Sequence, residues 1–154
     1  KLPESFSSQK IIRDIDSFLQ QLDRTNKSII FTNGCFDLLH EGHLHLIAES
    51  KKLGDKLIVA VNDDASVKRL KGATRPAESL ETRMKHLAAI ETVDYIISFS
   101  EDTPLQLIEK IQPDVLVKGG DYKKEEVVGN HIAQKTVIIP LLDGFSTTKI
   151  IQTK

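Results

Sequence analysis

Two histidines bracket a glycine at His40-Glu41-Gly42-His43, two residues beyond Asn33-Gly34-Cys35-Phe36-Asp37. Three residues apart across an expected helix start, both imidazoles can reach one anion. Gly42 has no side chain to keep a phosphate from the backbone. The free amides of a helix N-terminus add donors and partial positive charge. A histidine N–H can hydrogen-bond a phosphate oxygen and stabilise charge that develops during transfer. The bland alternative is a pair of structural histidines, one of them capping the helix. A zinc site is a poorer reading, although His45 makes three histidines in six residues. The run is not H-E-x-x-H, and no cysteine set or second histidine cluster completes a tetrahedral site.

Other segments carry groups of the same kind. Ser146-Thr147-Thr148 opens a short C-terminal helix, where hydroxyls and amides suit phosphates or simply form an N-cap. Lys118-Gly119-Gly120-Asp121-Tyr122 ends an apolar run, and its glycines let backbone approach a ligand or make a tight turn. Lys68, Arg69, Lys71 and Arg75 are either a solvated face or a mobile basic loop that closes over phosphates. Asn62, Asp63 and Asp64 either bind sugar hydroxyls or cap the next helix. Asp37 is a candidate for holding Mg²⁺, for orienting a histidine or for capping a turn. Cys35, the single cysteine, reads as a small buried residue and not as a nucleophile.

These groups need a frame. Helical spacing of Ile11, Ile12, Ile15, Phe18, Leu19 and Leu22 predicts an amphipathic helix over 8–22. Strands are expected at 28–33, 56–62, 93–98, 114–118 and 136–140. Helices are expected at 42–53, 63–70, 79–90, from 103 onward, at 124–134 and at 146–151. Alternating strands and helices imply an α/β fold: a Rossmann-like, doubly wound, parallel five-stranded sheet in a single domain. Residues 1–27 read as a helical extension that covers the sheet or forms a homodimer interface, and 28–154 as the working domain. Such sheets bind ligands beyond the carboxyl ends of their strands, where the polar and glycine-rich segments gather.

A net charge of −1 over 154 residues argues against a broad nucleic-acid or membrane-binding surface. One cysteine excludes an intrachain disulfide and fits a reducing cytoplasm. No stretch approaches the roughly 20 apolar residues of a membrane span, and no signal peptide is visible.

The motif at 33–37 with His40-x-Gly42-His43 resembles the cytidylyltransferase-like nucleotidyltransferase superfamily. Val117-Lys118-Gly119-Gly120-Asp121-Tyr122, Arg75-Pro76 and Glu101-Asp102-Thr103-Pro104 resemble its sugar-phosphate branch, in particular enzymes that adenylylate D-glycero-β-D-manno-heptose 1-phosphate. The resemblance implies transfer of AMP from ATP to a sugar 1-phosphate, with Mg²⁺, and a separate sugar kinase that supplies the acceptor. It implies catalytic roles for His40, His43 and Lys149, and nucleotide contacts from Thr32, Asn33, Gly34, Phe36, Gly42, Lys118, Gly119, Asp121, Ser146, Thr147 and Thr148. It places Asn62, Asp64, Lys68, Lys71 and Arg75 on the acceptor and Asp37 on the metal. Leu141 stands where the glycerol-phosphate cytidylyltransferases commonly carry arginine, which weakens a CTP-dependent reading with a polyol phosphate. A non-catalytic nucleotide-binding module is the third reading. A transfer-RNA synthetase fragment is disfavoured, because the Lys-Met-Ser-Lys-Ser loop is missing.

Overall fold

A computed structural model describes residues 9–140. Lys149, the Ser146-Thr147-Thr148 segment and the helix expected at 146–151 lie outside the described residues. Among the described residues the elements run β1 (Ile11–Ile12), α1 (Ile15–Gln21), β2 (Ile29–Gly34), α2 (Glu41–Lys51), β3 (Lys56–Asn62) and α3 (Asp64–Lys71). They continue with α4 (Leu80–Ala88), β4 (Tyr95–Phe99), α5 (Leu105–Ile111), β5 (Val115–Gly119), a 3₁₀ turn (Lys124–Glu126) and β6 (Lys135–Ile139).

All strand pairs are parallel, in the order β1-β4-β3-β2-β5-β6. The α/β expectation holds, with six strands among the described residues instead of five. The added strand is Ile11–Ile12, which pairs with Ile96 and Ile97. Its isoleucines share the helical period of Ile15 and Phe18, so periodicity alone merges strand and helix. Asp14 separates them. Its carboxylate accepts the amides of Asp16 and Ser17 at 3.1 and 3.2 Å and starts α1 at Ile15.

The sheet is covered on both faces. Alternation along β2 and β3 sends Ile30, Leu57, Val59 and Val61 into one core with Ile47 of α2 and Met84 and Leu87 of α4. Ile29, Phe31, Ile58 and Ala60 enter the other, with Leu107, Ile108 and Ile111 of α5. Phe18 and Leu19 of α1 pack on that second core, and the Phe18 ring meets Tyr95 edge-on at 4.7 Å. Leu57 to Val61 are at most 1% exposed. At about 1.5–3 kcal/mol for each large aliphatic buried, these central strands make a stiff base for the groups at their ends.

The helix expected at 124–134 is replaced by the 3₁₀ turn and a run of turns. Gly129, at φ 87°, breaks it, and a Cβ there would stand 2.8 Å from the Ile108 side chain. α3 runs one residue further than expected, so Lys68 and Lys71 stand on a helix and the loop begins at Gly72.

Candidate active site

The chain order reverses at β2. From β2 it winds outward through β3 and β4, then returns to lay β5 on the other side. Parallel α/β sheets hold ligands in the crevice that such a reversal opens. A cleft of about 380 Å³ lies there, bounded by the ends of β2, β3 and β5, the C-terminal turn of α3 and the segments after β4 and β5. Among the described residues no helix is long and apolar enough to cross a membrane.

Its floor is the turn after β2. Phe36 and Leu38 both lie in the left-handed region, at φ 51° and 59°. Such residues store strain and persist only where the surroundings hold them. Here Asp37, between them, does the holding. It is buried, accepts Arg75 Nε at 2.8 Å, and takes the amides of Ala77 and Glu78 at 2.7 and 3.0 Å. Burial alone would raise its carboxyl, but these amides and the Arg75 guanidinium outweigh it and hold Asp37 below the usual carboxylate range. Gly34 must be small: a Cβ would stand 3.1 Å from the Phe36 ring.

α2 starts beyond that turn, and its histidines cap it. Nδ1 of His40 accepts the Gly42 amide at 3.0 Å, and Nδ1 of His43 accepts the His40 amide at 3.2 Å. The rings lie 3.9 Å apart, and Phe36 packs against His43 at 5.6 Å. An Nδ1 that accepts leaves the proton of a neutral imidazole on Nε2. Burial lowers the His40 pKa, while burial, His40 and Lys71 lower that of His43 to about 4. Both rings are therefore neutral at pH 7, each with an Nε2–H donor to offer. Capping and ligand binding, posed as alternatives in the sequence, use different nitrogens of one ring and are compatible.

The expected contacts divide into groups. Asn33, Gly34, Phe36, His43, Asn62, Lys71, Arg75 and Lys118 line the cleft. Thr32 does not: it is fully buried, and its hydroxyl donates to the Val117 carbonyl at 3.0 Å, joining β2 to β5. The Gly42 amide is already bonded to His40. Gly119 serves packing, with a Cβ there only 3.3 Å from Leu46. Asp121 and Lys68 are exposed and lie outside the lining. Asp64 pairs with Arg83 at 2.7 Å.

Arg83 was not singled out in the sequence. Its side chain is 0% exposed. It donates to the carbonyls of Cys35, Asn62 and Glu78 at 2.8, 2.7 and 3.0 Å, as well as to Asp64. One guanidinium thus ties the ends of β2 and β3 to the start of α4. The signal was present: Arg83 sits on the apolar stripe of Leu80, Met84 and Leu87, where a charge needs a buried partner.

The Asp37 oxygens are taken up by the 75–78 segment, so a metal ion would have to displace bonds that hold the turn. Among the described residues no group of three histidine, cysteine or acidic side chains is gathered for a metal. These residues do not fit a protein-borne Mg²⁺ site. Of the cations expected on a basic loop over 68–75, Lys68, Arg69 and Lys71 stand on α3, and Arg75 is tied to the turn after β2 by Asp37.

A reversal-point cleft with the His43 imidazole at a helix start and lysines opposite is suited to a phosphate-bearing ligand. The chain belongs to the cytidylyltransferase-like family, whose profile matches residues 31–153. It is 50% identical to the bifunctional protein HldE of Helicobacter hepaticus over 97% of this chain and 31% of that one. It is 48% identical to HldE of Campylobacter jejuni strain RM1221 over 97% of this chain and 32% of that one. The chain thus spans about a third of the curated relatives' length. Among solved structures, the lipopolysaccharide core biosynthesis protein of Thermoplasma volcanium superposes with a TM-score of 0.65 at 31% identity, over 76% of this chain and 99% of that one. A pantoate–β-alanine ligase of Francisella tularensis shares the fold, with a TM-score of 0.61 at 20% identity, over 84% of this chain and 66% of that one.

Proposed function

We propose that this chain transfers AMP from ATP to a sugar 1-phosphate, D-glycero-β-D-manno-heptose 1-phosphate, and releases pyrophosphate and the ADP-sugar for lipopolysaccharide precursor synthesis. The observation that carries the reading is the His40–His43 pair: two neutral rings, each fixed by its Nδ1 bond, with Nε2–H donors left for a ligand. The lipopolysaccharide relative supports the pathway class, and the Val117–Tyr122 resemblance supplies the heptose phosphate.

Acceptor and ATP are both anions, so the enzyme's task is alignment and charge neutralisation. A phosphate oxygen of the acceptor attacks the α-phosphorus, and the bond to the bridging oxygen breaks toward pyrophosphate. The attacking phosphate is already ionised near neutrality, so no general base is required. Good alignment supplies roughly 7–11 kcal/mol of the barrier, and each charge-stabilising donor about 2.7–4 kcal/mol. The neutral histidines act as donors, and Lys71 and Arg75 supply the positive field. ATP enters as its magnesium complex. A sugar kinase, on the same or a separate polypeptide, supplies the acceptor, in keeping with the word bifunctional in the relatives' names.

The test is pyrophosphate release with ATP or CTP, each paired with heptose 1-phosphate or glycerol 3-phosphate, in Mg²⁺. Turnover is expected with ATP and the heptose phosphate. Preference for CTP and glycerol 3-phosphate would move the chain to the cytidylyl branch. Nucleotide binding without turnover on any acceptor would make it a binding module.

A further inference from the structure

Lys118 stands at the cleft end of β5, partly buried, with its ammonium 5.3 Å from the centroid of the Tyr122 ring. Among the described residues no carboxylate forms an ion pair with it. A partly buried cation without a counter-ion is costly unless a ligand supplies one. Lys71 lies near enough to repel it, from the last turn of α3. Because β2 lies between β3 and β5, Lys71 arrives from one side of the β2 end and Lys118 from the other. His43 of α2 lines the same space. Two ammonium groups and an imidazole donor converge where a reacting phosphoryl group would sit.

We propose that Lys118 is a catalytic residue whose ammonium contacts the phosphoryl group under attack, and that Tyr122 is the positioning residue that keeps this ammonium in the cleft. The inference rests on the nucleotidyl-transfer reading above. In the step, the acceptor oxygen forms a new bond to the α-phosphorus, and the α–β bridging bond breaks. Pyrophosphate departs with the electron pair. The ammonium keeps its proton and meets the charge on the non-bridging oxygens. Gly119 packs on Leu46, and Lys118 lines the cleft.

The charge on Lys118 must survive at working pH. Burial first, then Lys71, push it below the usual lysine range, against an opposing pull from Cys35. The other titratable groups of the cleft are the neutral His43, the Asp37–Arg75 pair, Asp102, which is held by Arg69, and Glu126, which accepts the Lys123 amide. With Tyr122 beside it, the alkaline limb of the rate profile belongs to Lys118 in this scheme.

The experiment measures pyrophosphate release by the full chain and by Lys118→Met, Lys118→Arg, Tyr122→Phe and Tyr122→Leu, with ATP binding followed separately by calorimetry. Lys118→Met should lower kcat about 10²–10³-fold, the usual loss for one charge-stabilising donor, with less than about a tenfold change in ATP affinity. Lys118→Arg should retain part of the rate and carry it to higher pH, because guanidinium does not titrate in that range. Tyr122→Phe should match wild type, and Tyr122→Leu should lose kcat but add nothing to Lys118→Met. Wild-type kcat and pH profile in folded Lys118→Met overturn the inference, as does a loss confined to ATP affinity. If Lys118→Met fails to fold, a Lys118→Arg profile with an unmoved alkaline limb overturns it instead. A wild-type chain without turnover on any acceptor overturns the functional reading, and this inference with it.

Discussion

The two sides of the cleft are built on opposite terms. On the turn between β2 and α2, polar groups are spoken for: Asp37 by three donors, the Cys35 carbonyl by Arg83, and the Nδ1 atoms of both histidines by backbone amides. Across from it, Lys118 faces the Tyr122 ring, and among the described residues no carboxylate forms an ion pair with it. The satisfied side is scaffold, whose hydrogen bonds hold left-handed residues and ring orientations in place. The other side is the one to which the proposal above gives an anion. Where a site keeps its strained backbone and its unpaired charge on separate elements, each can be altered without disturbing the other.

That division can be tested by breaking the scaffold first. Arg83→Met strips three carbonyls of a donor, each costing about 1–3 kcal/mol when left buried and unpaired. Asp64 is 45% exposed and adds little. A total loss of about 3–5 kcal/mol, the size of a broken buried pair, is expected in urea unfolding. A loss under 1 kcal/mol would show that Arg83 is no keystone. His43→Ala sits on the border between the two sides. It should cost kcat about 10²–10³-fold, or about 2.7–4 kcal/mol, and stability no more than about 2 kcal/mol, the range of a lost cap. A variant that melts early yet keeps its rate per folded molecule would reverse the assignment.

Asp37→Asn is the mildest, at about 1–3 kcal/mol. Its sign with pH is fixed. A carboxyl held below the ordinary value of about 3.9 stabilises the fold fully above that pH and less as pH falls through the folded value. The stability gap between wild type and Asp37→Asn should therefore narrow with acid. A gap constant from pH 6 to pH 3 would deny the ion pair with Arg75.

Much of this was legible in advance, and the reasons differ by residue. The run Leu57-Ile58-Val59-Ala60-Val61 reads as a strand because both its faces are buried, and that needs no tertiary knowledge. Ile11–Ile12 did not, because two isoleucines fit either period and only pairing with β4 decides. Thr32 and Asp37 belonged to a motif whose chemistry suggested ligand contacts. The structure gives their oxygens to the β5 carbonyl and to the 75–78 segment. Such bonds join residues 38 to 85 positions apart, a pairing no local pattern encodes. Lys118 was legible as a residue but not in its proposed role, since the lack of a paired carboxylate among the described residues is a property of three-dimensional neighbours.

The uncharged state of the stacked imidazoles has a consequence for ionic strength. Dipolar donors held against backbone are nearly indifferent to added salt, whereas an exposed ammonium such as that of Lys71 is screened over a Debye length of about 10 Å at 0.1 M, and the partly buried Lys118 much less. Capture of the incoming anions should therefore weaken in brine while the donors at the start of α2 keep their grip. One enzyme would then show a salt-sensitive KM beside a salt-tolerant kcat.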